Sequence, residues 1–165
     1  MKTASEEKFD SLMTECHLIL KPIGFKKKGN SFFLEKNGFG QHINFQKSRF
    51  GTKDHISFTI NTGIFLPEYW SAVEYNMGKE IPKTPNWTDC MLIRRIGEMK
   101  GENDTWWDVD EGTNLSELVK VILQNMTEVI IPYFNKIETK KELKEVIRSQ
   151  PYSSAPFWEK MIELL

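Results

Sequence analysis

Three stretches of alternating hydrophobic and polar residues follow one another along the chain, and they constrain the fold more than any other feature. They cover residues 31–36, 41–49 and 55–64, and glycine-containing segments typical of hairpin turns separate them. A period of two places successive side chains on opposite faces of a strand. The pattern therefore predicts an antiparallel β-meander with one apolar face and one polar face.

The register of this meander can be predicted by requiring apolar residues to lie opposite apolar residues. Turns of four residues, at 37–40 and 50–53, satisfy this requirement in both hairpins. They place Phe45 opposite Phe32 on one neighbouring strand and opposite Phe58 on the other. Both hairpins then share one continuous apolar face, which supports the strand assignment.

The same register brings polar side chains together on the second face of the sheet. Glu35 is predicted to lie beside His42, and His42 beside Asn61. The other predicted neighbours on this face are Asn44 with Thr59, Gln46 with Ser57, and Ser48 with His55.

Further elements extend the sheet and cover its apolar face. Apolar patterns predict strands near residues 90–96 and 105–109. They follow a long segment over 65–88 that contains proline and tryptophan, in which a short helix is expected near residues 69–77. Helical spacing predicts one helix from Thr3 to near Pro22 and a second from Asn114 to Pro132. A third begins at Thr139 and ends before a break at 151–156, and a short helix covers 157–165. The predicted fold is α+β: an antiparallel sheet with helices from both ends of the chain packed on one face.

The composition is that of a folded globular domain, with 39% hydrophobic residues, 27% charged residues and a formal charge of −1. Such a charge gives no overall attraction for nucleic acid or anionic membranes. The first residues lack the apolar stretch of a secretion signal, and no apolar run is long enough to span a membrane. We therefore expect one domain over residues 1–165, located in the cytoplasm.

Cysteine and histidine give no indication of a disulfide framework or a metal site. Cys16 and Cys90 lie in apolar segments without the spacing of zinc ligands, so we expect both thiols to be reduced and buried. His42 and His55 are separated in the predicted register by about 20 Å along the strands, so they cannot share an ion. No metal and no cofactor are predicted.

The polar face of the sheet is the candidate binding site. Arg94 and Arg95 point to opposite sides of a strand, so one of them can join this face, and Trp106 or Trp107 can add an aromatic wall. Amides, hydroxyls, a guanidinium and an indole suit hydrogen-bonded recognition. The alternative is an arginine that pairs with a carboxylate for structural reasons only. The predicted binding residues are Asn44, Gln46, Ser48, Asn61, Arg95 and Trp106.

A catalytic interpretation of the same face rests on His42 beside Glu35. The carboxylate would orient the imidazole, and Asn61 would hydrogen-bond its other side. No nucleophile accompanies them, because the chain lacks G-x-S-x-G and both cysteines are predicted to be buried. The sequence therefore favours a non-enzymatic protein, and His42 and Glu35 are catalytic candidates only under this alternative.

Five segments occur in an order that is typical of one protein family. They are GFKKKGNSFF (24–33), INFQKS (43–48), FTINTGI (58–64), RRIG (94–97) and DTWWDV (104–109). Together they resemble a widespread bacterial family of small proteins known only as a domain of unknown function. The resemblance implies no activity, substrate or cofactor. It points to Gly24, Phe25, Phe45, Gln46, Lys47, Ser48, Asn61, Gly63, Arg95, Gly97, Asp104, Trp106 and Trp107.

We expect a cytoplasmic binding or regulatory protein, for example of the immunity type, that holds another protein or a small polar ligand. The polar face and the 65–88 segment would form its contact surface. The first alternative is a small hydrolase or nucleotide-binding enzyme centred on His42, Asn61 and Arg95. The second is RNA binding through the basic stretch Lys26–Lys28.

Overall fold

A six-stranded antiparallel sheet organises the fold in the computed structural model, which describes residues 1–150 and 156–165. The strands are β1 (Lys26–Lys28), β2 (Ser31–Lys36), β3 (Phe39–Lys47), β4 (Ile56–Phe65), β5 (Met91–Arg95) and β6 (Trp107–Val109). The helices are α1 (Ala4–Leu20), α2 (Pro67–Ala72), α3 (Ile96–Met99), α4 (Leu115–Asn125), α5 (Ile131–Asn135), α6 (Lys140–Arg148) and α7 (Pro156–Glu163). The predicted α+β class is confirmed.

β4 pairs with other strands along both of its edges. The sheet order is β1-β2-β3-β4-β5, and Asn61 of β4 pairs with Asn44 on one edge and with Arg95 on the other. The first part of β4 pairs with β6 instead, through Phe58 and Trp107. β5 and β6 therefore share one edge of β4, and the loop that joins them lies beside the middle of that strand.

The predicted hairpin registers are wrong by two residues, although the predicted faces are right. Phe32 lies opposite Ile43 instead of Phe45. Phe45 in turn lies opposite Ile60 instead of Phe58. Because side chains alternate with a period of two, a shift of two residues leaves every side chain on its predicted face.

The first hairpin turn explains its shift. Lys36 pairs with Phe39, so the turn contains only Asn37 and Gly38, whose φ angles are 55° and 83°. Two consecutive residues with positive φ form the type I′ turn that an Asn-Gly sequence favours, because its twist matches that of the flanking strands. A two-residue turn thus replaces the predicted four-residue turn.

The apolar face of the sheet forms the main core with helices from both ends of the chain. Phe58 lies at its centre, with its ring 5.3 Å from Phe9, 5.7 Å from Phe45 and 5.7 Å from Trp107. Apolar residues of α1, α4, α6 and α7 belong to the same cluster. Trp107 therefore packs on the core, and the adjacent Trp106 faces the other side of the sheet, as the alternation predicts.

Polar caps begin the helices where the sequence predicts them. Thr3 and Thr139 each form a capping box with the glutamate three residues later. Asn114 accepts a hydrogen bond from the backbone amide of Glu117 at the start of α4. These side chains satisfy amides that have no partner within the helix, so the helix starts can be read from local sequence.

The predicted helix end at Pro132 is wrong. α4 runs into a π-helical turn, Met126–Ile130, and this turn leads directly into α5, which ends at Asn135. Pro132 occupies one of the first positions of α5. In the π-helical turn the Ile131 amide donates to the Met126 carbonyl, five residues earlier, and the helical chain continues through Pro132.

The strand β1 and the segment after β4 also differ from the sequence predictions. The strand β1 was not predicted, and the helix expected near residues 69–77 is α2 followed by a short 3₁₀ turn, Glu74–Asn76. The break predicted at 151–156 lies, apart from its last residue, outside the described residues. Within those residues, no helix is both long enough and apolar enough to cross a membrane.

Candidate functional site

The second face of the sheet is largely covered by the chain segment between β4 and β6. Trp70 and Cys90 of this segment pack against Phe33 and Phe65 of the sheet. The polar residues beneath it are buried, with exposed fractions of 2% for His42, 8% for Asn44 and 2% for Asn61. Over this area, the polar face that the sequence predicts as a contact surface is therefore not accessible. The end of this face toward the β3–β4 connection remains open to solvent.

Arg95 lies at the centre of a hydrogen-bonded group at this open end. Its Nε donates to Asn61 Oδ1 at 3.3 Å, and its Nη2 donates to Gln46 Oε1 at 3.4 Å. Asn61 Nδ2 also donates to Gln46 Oε1, at 2.9 Å. The sheet pairing of Asn61 with Arg95 brings these side chains together. Three of the predicted binding residues therefore form one network.

Asp104 and Trp106 extend the network outward. Asp104 Oδ2 accepts from Arg95 Nη1 at 2.8 Å and from the indole Nε1 of Trp106 at 2.8 Å. The Trp106 ring centroid lies 5.5 Å from Arg95 Cζ, within the range of a cation–π contact. We call these residues the Arg95 patch: Gln46, Asn61, Arg95, Asp104 and Trp106.

The charges of Arg95 and Asp104 balance each other at the surface. Hydrogen bonds from Trp106 and then from Arg95 hold the pKa of Asp104 below its usual value, so its carboxylate is ionised at neutral pH. The side chains of Arg95 and Asp104 are 34% and 52% exposed. A guanidinium has five N–H donors, and the three bonds described above use three of them. The patch thus offers donors and an acceptor to a ligand.

Close packing and hydrogen bonds hold the loop that carries Asp104 against the sheet. The Thr105 carbonyl accepts from Thr59 Oγ1 at 2.7 Å, and the Glu102 amide donates to the Gly97 carbonyl at 2.8 Å. A Cβ atom on Gly97 would lie 2.2 Å from the Asn103 carbonyl oxygen, so only glycine fits there. Asp104 was not among the predicted binding residues; its place before Trp106 in the segment DTWWDV was the available signal.

Two of the predicted binding residues lie outside the Arg95 patch. Asn44 donates to Ser31 Oγ at 2.9 Å, and its Oδ1 is buried without a hydrogen-bond partner. Ser48 Oγ accepts from the Phe50 amide at 3.2 Å within the β3–β4 connection. Asn44 therefore links β3 to β2, and Ser48 orders the β3–β4 connection. Four of the six predicted residues converge: Gln46, Asn61, Arg95 and Trp106.

The predicted pairs of His42 with Glu35 and with Asn61 are wrong. His42 pairs with Gly63, and Glu35 pairs with Gly40, because both registers shift by two residues. Burial lowers the pKa of His42 from 6.5 to about 4, against smaller opposing effects of the Pro85 carbonyl and Asp89. The imidazole is therefore neutral, and the acid that was expected to orient it lies elsewhere.

The two thiols are buried and free, as predicted. Burial raises the pKa of Cys16 to about 12 and also raises the pKa of Cys90, so neither forms a thiolate at neutral pH. Among the described residues, no three His, Cys, Asp or Glu side chains are placed to hold a metal ion. The Arg95 patch is suited to hydrogen-bonded recognition and contains no activated nucleophile.

Comparison with known proteins identifies the family of the chain. No curated protein and no solved structure matches it. One family model matches residues 17–136, which is more than half of the chain and includes the whole Arg95 patch. The chain therefore belongs to the family described as Domain of unknown function (DUF4304).

Proposed function

We propose that this protein is a non-catalytic, cytoplasmic binding domain that holds a protein partner on the Arg95 patch. The observation that carries the proposal is the hydrogen-bond network of Gln46, Asn61, Arg95 and Asp104 at the open end of an otherwise covered sheet face. A network at this position orders surface side chains that a partner can contact.

The order of the Arg95 side chain favours binding. Asn61, Gln46 and Asp104 hold the guanidinium in place, so a partner loses less conformational entropy in fixing it. Trp106 adds apolar surface beside it. Arginine and tryptophan are among the residues that contribute most to binding energy in protein interfaces.

The charge of the patch favours a protein partner over a simple anion. Asp104 neutralises Arg95, so the patch does not concentrate negative ligands as an unpaired arginine would. It presents donors and an acceptor close together, which suits the mixed polar surface of another protein.

The enzymatic alternative has less support. His42 lies near Pro85 under the covering segment, whereas Asn61 and Arg95 hydrogen-bond each other at the open end. A site centred on His42, Asn61 and Arg95 would need His42 to pair with Asn61. Asn44, two residues further along β3, occupies that position instead.

Site-specific crosslinking tests the proposal. A photoreactive benzoylphenylalanine in place of Trp106 should capture one defined protein in the native host. The same substitution at Val121, which is 41% exposed on α4, serves as the control and should not capture it. Adding Arg95→Gln should remove the adduct at 106. Equal adducts at both positions, or an adduct that Arg95→Gln leaves unchanged, would contradict the proposal.

A further inference from the structure

A separate cavity of about 240 Å³ lies at the other end of the covered face, between β1 and the segment over residues 84–86. This volume corresponds to about eight water molecules at their share of liquid volume. The lining residues that bear on its chemistry are Lys26, Lys28, Ser31, Phe33, His42 and Thr84. None of them belongs to the Arg95 patch, so the cavity is independent of the proposed partner surface.

Strand alternation places two lysines on the cavity side of β1. Lys26 pairs with Phe33 and Lys28 with Ser31, and both of these partners line the cavity. The two lysine positions are about 6.6 Å apart along the strand, close enough for their long side chains to reach one anion. Lys27 lies between them and points to the opposite face.

The charges of these two lysines are not neutralised in ion pairs. Within residues 1–150 and 156–165, the amines of Lys26 and Lys28 take part in no ion pair. Lys83 lines the adjoining groove, in which Glu35 is the carboxylate. This region therefore attracts anions even though the whole chain has a net charge of −1.

His42 forms the buried end of the cavity and has an unused hydrogen-bonding atom. Its side chain is 2% exposed, and its Nδ1 has no hydrogen-bond partner. The ring also lies near the Pro85 carbonyl, and we assign its proton to the other nitrogen, Nε2. Nδ1 is then an acceptor. A buried acceptor without a donor is costly, so this atom is suited to receive a hydroxyl from a ligand.

We infer that this cavity binds a small phosphate ester that carries a free hydroxyl group. Lys26 and Lys28 hold the phosphate at the mouth, and the hydroxyl donates to His42 Nδ1 inside. The cavity is smaller than the sites of drug-sized ligands, which restricts the ester to a few carbon atoms. No bond is made or broken, so the site is one of binding only.

The order of the lysines separates this proposal from RNA binding. An RNA backbone follows an exposed surface and would contact Lys27 as well as its two neighbours. A ligand inside the cavity would contact Lys26 and Lys28 alone. Lys27→Gln therefore serves as a control that removes the same charge from the same strand on the other face.

Calorimetric titration with glycerol 3-phosphate, inorganic phosphate and a short oligoadenylate tests the inference on the whole protein. Glycerol 3-phosphate should bind with saturation. Lys26→Gln and Lys28→Gln should each lower its affinity at least fivefold. Lys27→Gln should change it less than twofold. Inorganic phosphate should bind more weakly because it does not reach His42. The proposal would be overturned if all three lysine variants lost affinity for glycerol 3-phosphate equally. It would also be overturned if the oligoadenylate bound more tightly than glycerol 3-phosphate and all three variants weakened its binding equally.

The histidine contact has its own readout. The ¹⁵N signals of the His42 ring in the wild-type protein should shift on addition of glycerol 3-phosphate and stay unchanged with glycerol alone. His42→Gln retains an amide donor near the position of Nε2 but lacks an acceptor at the position of Nδ1. This variant should bind glycerol 3-phosphate more weakly than the wild type, and its affinity for inorganic phosphate should stay within twofold of the wild type. Unchanged His42 signals at saturating glycerol 3-phosphate would refute the contact, even if His42→Gln fails to fold.

Discussion

Arg94 and Arg95 are adjacent in sequence but lie on opposite faces of β5 and serve different elements. Arg95 joins the Arg95 patch, whereas Arg94 Nη1 donates to Glu98 Oε1 at 2.9 Å and its Nη2 contacts Gln150. Their chemistry is identical, so the difference comes only from strand alternation. This makes Arg94 a matched control for any measurement on Arg95.

His42 should make the stability of the protein depend on pH. Its pKa is about 4 in the folded state and 6.5 as a free side chain, so the unfolded chain binds one more proton between these values. Stability is then complete above pH 6.5 and decreases as the pH falls toward 4. We expect a loss of about 2 kcal/mol between pH 7 and pH 5 from this group. Urea unfolding at several pH values measures it.

His42→Gln provides the control for this pH dependence, because glutamine does not titrate. The free energy of unfolding of the variant should not show the decrease of about 2 kcal/mol between pH 7 and pH 5 that linkage predicts for the wild type. If the two proteins show parallel curves between pH 7 and pH 5, the buried imidazole is not the source.

Gly97 should be required for the position of Asp104. Alanine at 97 would place a methyl group against the Asn103 carbonyl and force the loop away from the sheet. We expect a loss of about 1–3 kcal/mol in stability, as for other overpacked sites, and a shift of the Trp106 indole N–H signal in NMR spectra. Gly112→Ala is the control, since its Cβ would meet Asp110 at an ordinary 3.5 Å. An unshifted indole signal in a destabilised Gly97→Ala protein would show that the loop position does not depend on this contact.

At the level of elements, the Asn37–Gly38 turn determines the register of β2 with β3. Gly38 has a φ of 83°, which an L-residue with a Cβ adopts at a cost of about 1–2 kcal/mol. Space does not limit a substitution there, because the added Cβ would be 3.5 Å from Lys140 Cε. Gly38→Ala should therefore lower the free energy of unfolding by about 1 kcal/mol. Urea denaturation would contradict the turn assignment if Gly38→Ala were as stable as the wild type.

Turns and caps also show which parts of an element can be predicted from sequence. Helix starts follow from a polar side chain and a glutamate three residues later, so local sequence was sufficient at Thr3 and Thr139. The helix end at Pro132 was missed because a π-helical turn, which has no clear sequence signal, precedes it. The β2–β3 register was missed because a two-residue and a four-residue turn both pair apolar residues with apolar residues, and the positive φ angles of Asn37 and Gly38 select the shorter turn.

At the level of the whole molecule, the faces of the sheet could be predicted but their covering could not. Alternation alone assigns Gln46 and Asn61 to one face, and any register shift of two preserves that assignment. The segment that buries this face contains short helical turns between loops, so its path follows from tertiary contacts of Trp70 and Cys90. For the same reason, the sequence indicated four members of the Arg95 patch and did not reveal that His42 lies in a separate cavity.

The affinity of the Arg95 variants for the captured partner tests the central claim most directly. Titration calorimetry with the purified partner should show that Arg95→Gln weakens binding at least about tenfold, as truncation of an interface hot spot does. Arg94→Gln, on the other face of the same strand, should stay within about twofold of the wild type. If both variants are folded and bind with wild-type affinity, or lose affinity equally, the Arg95 patch is not the binding surface.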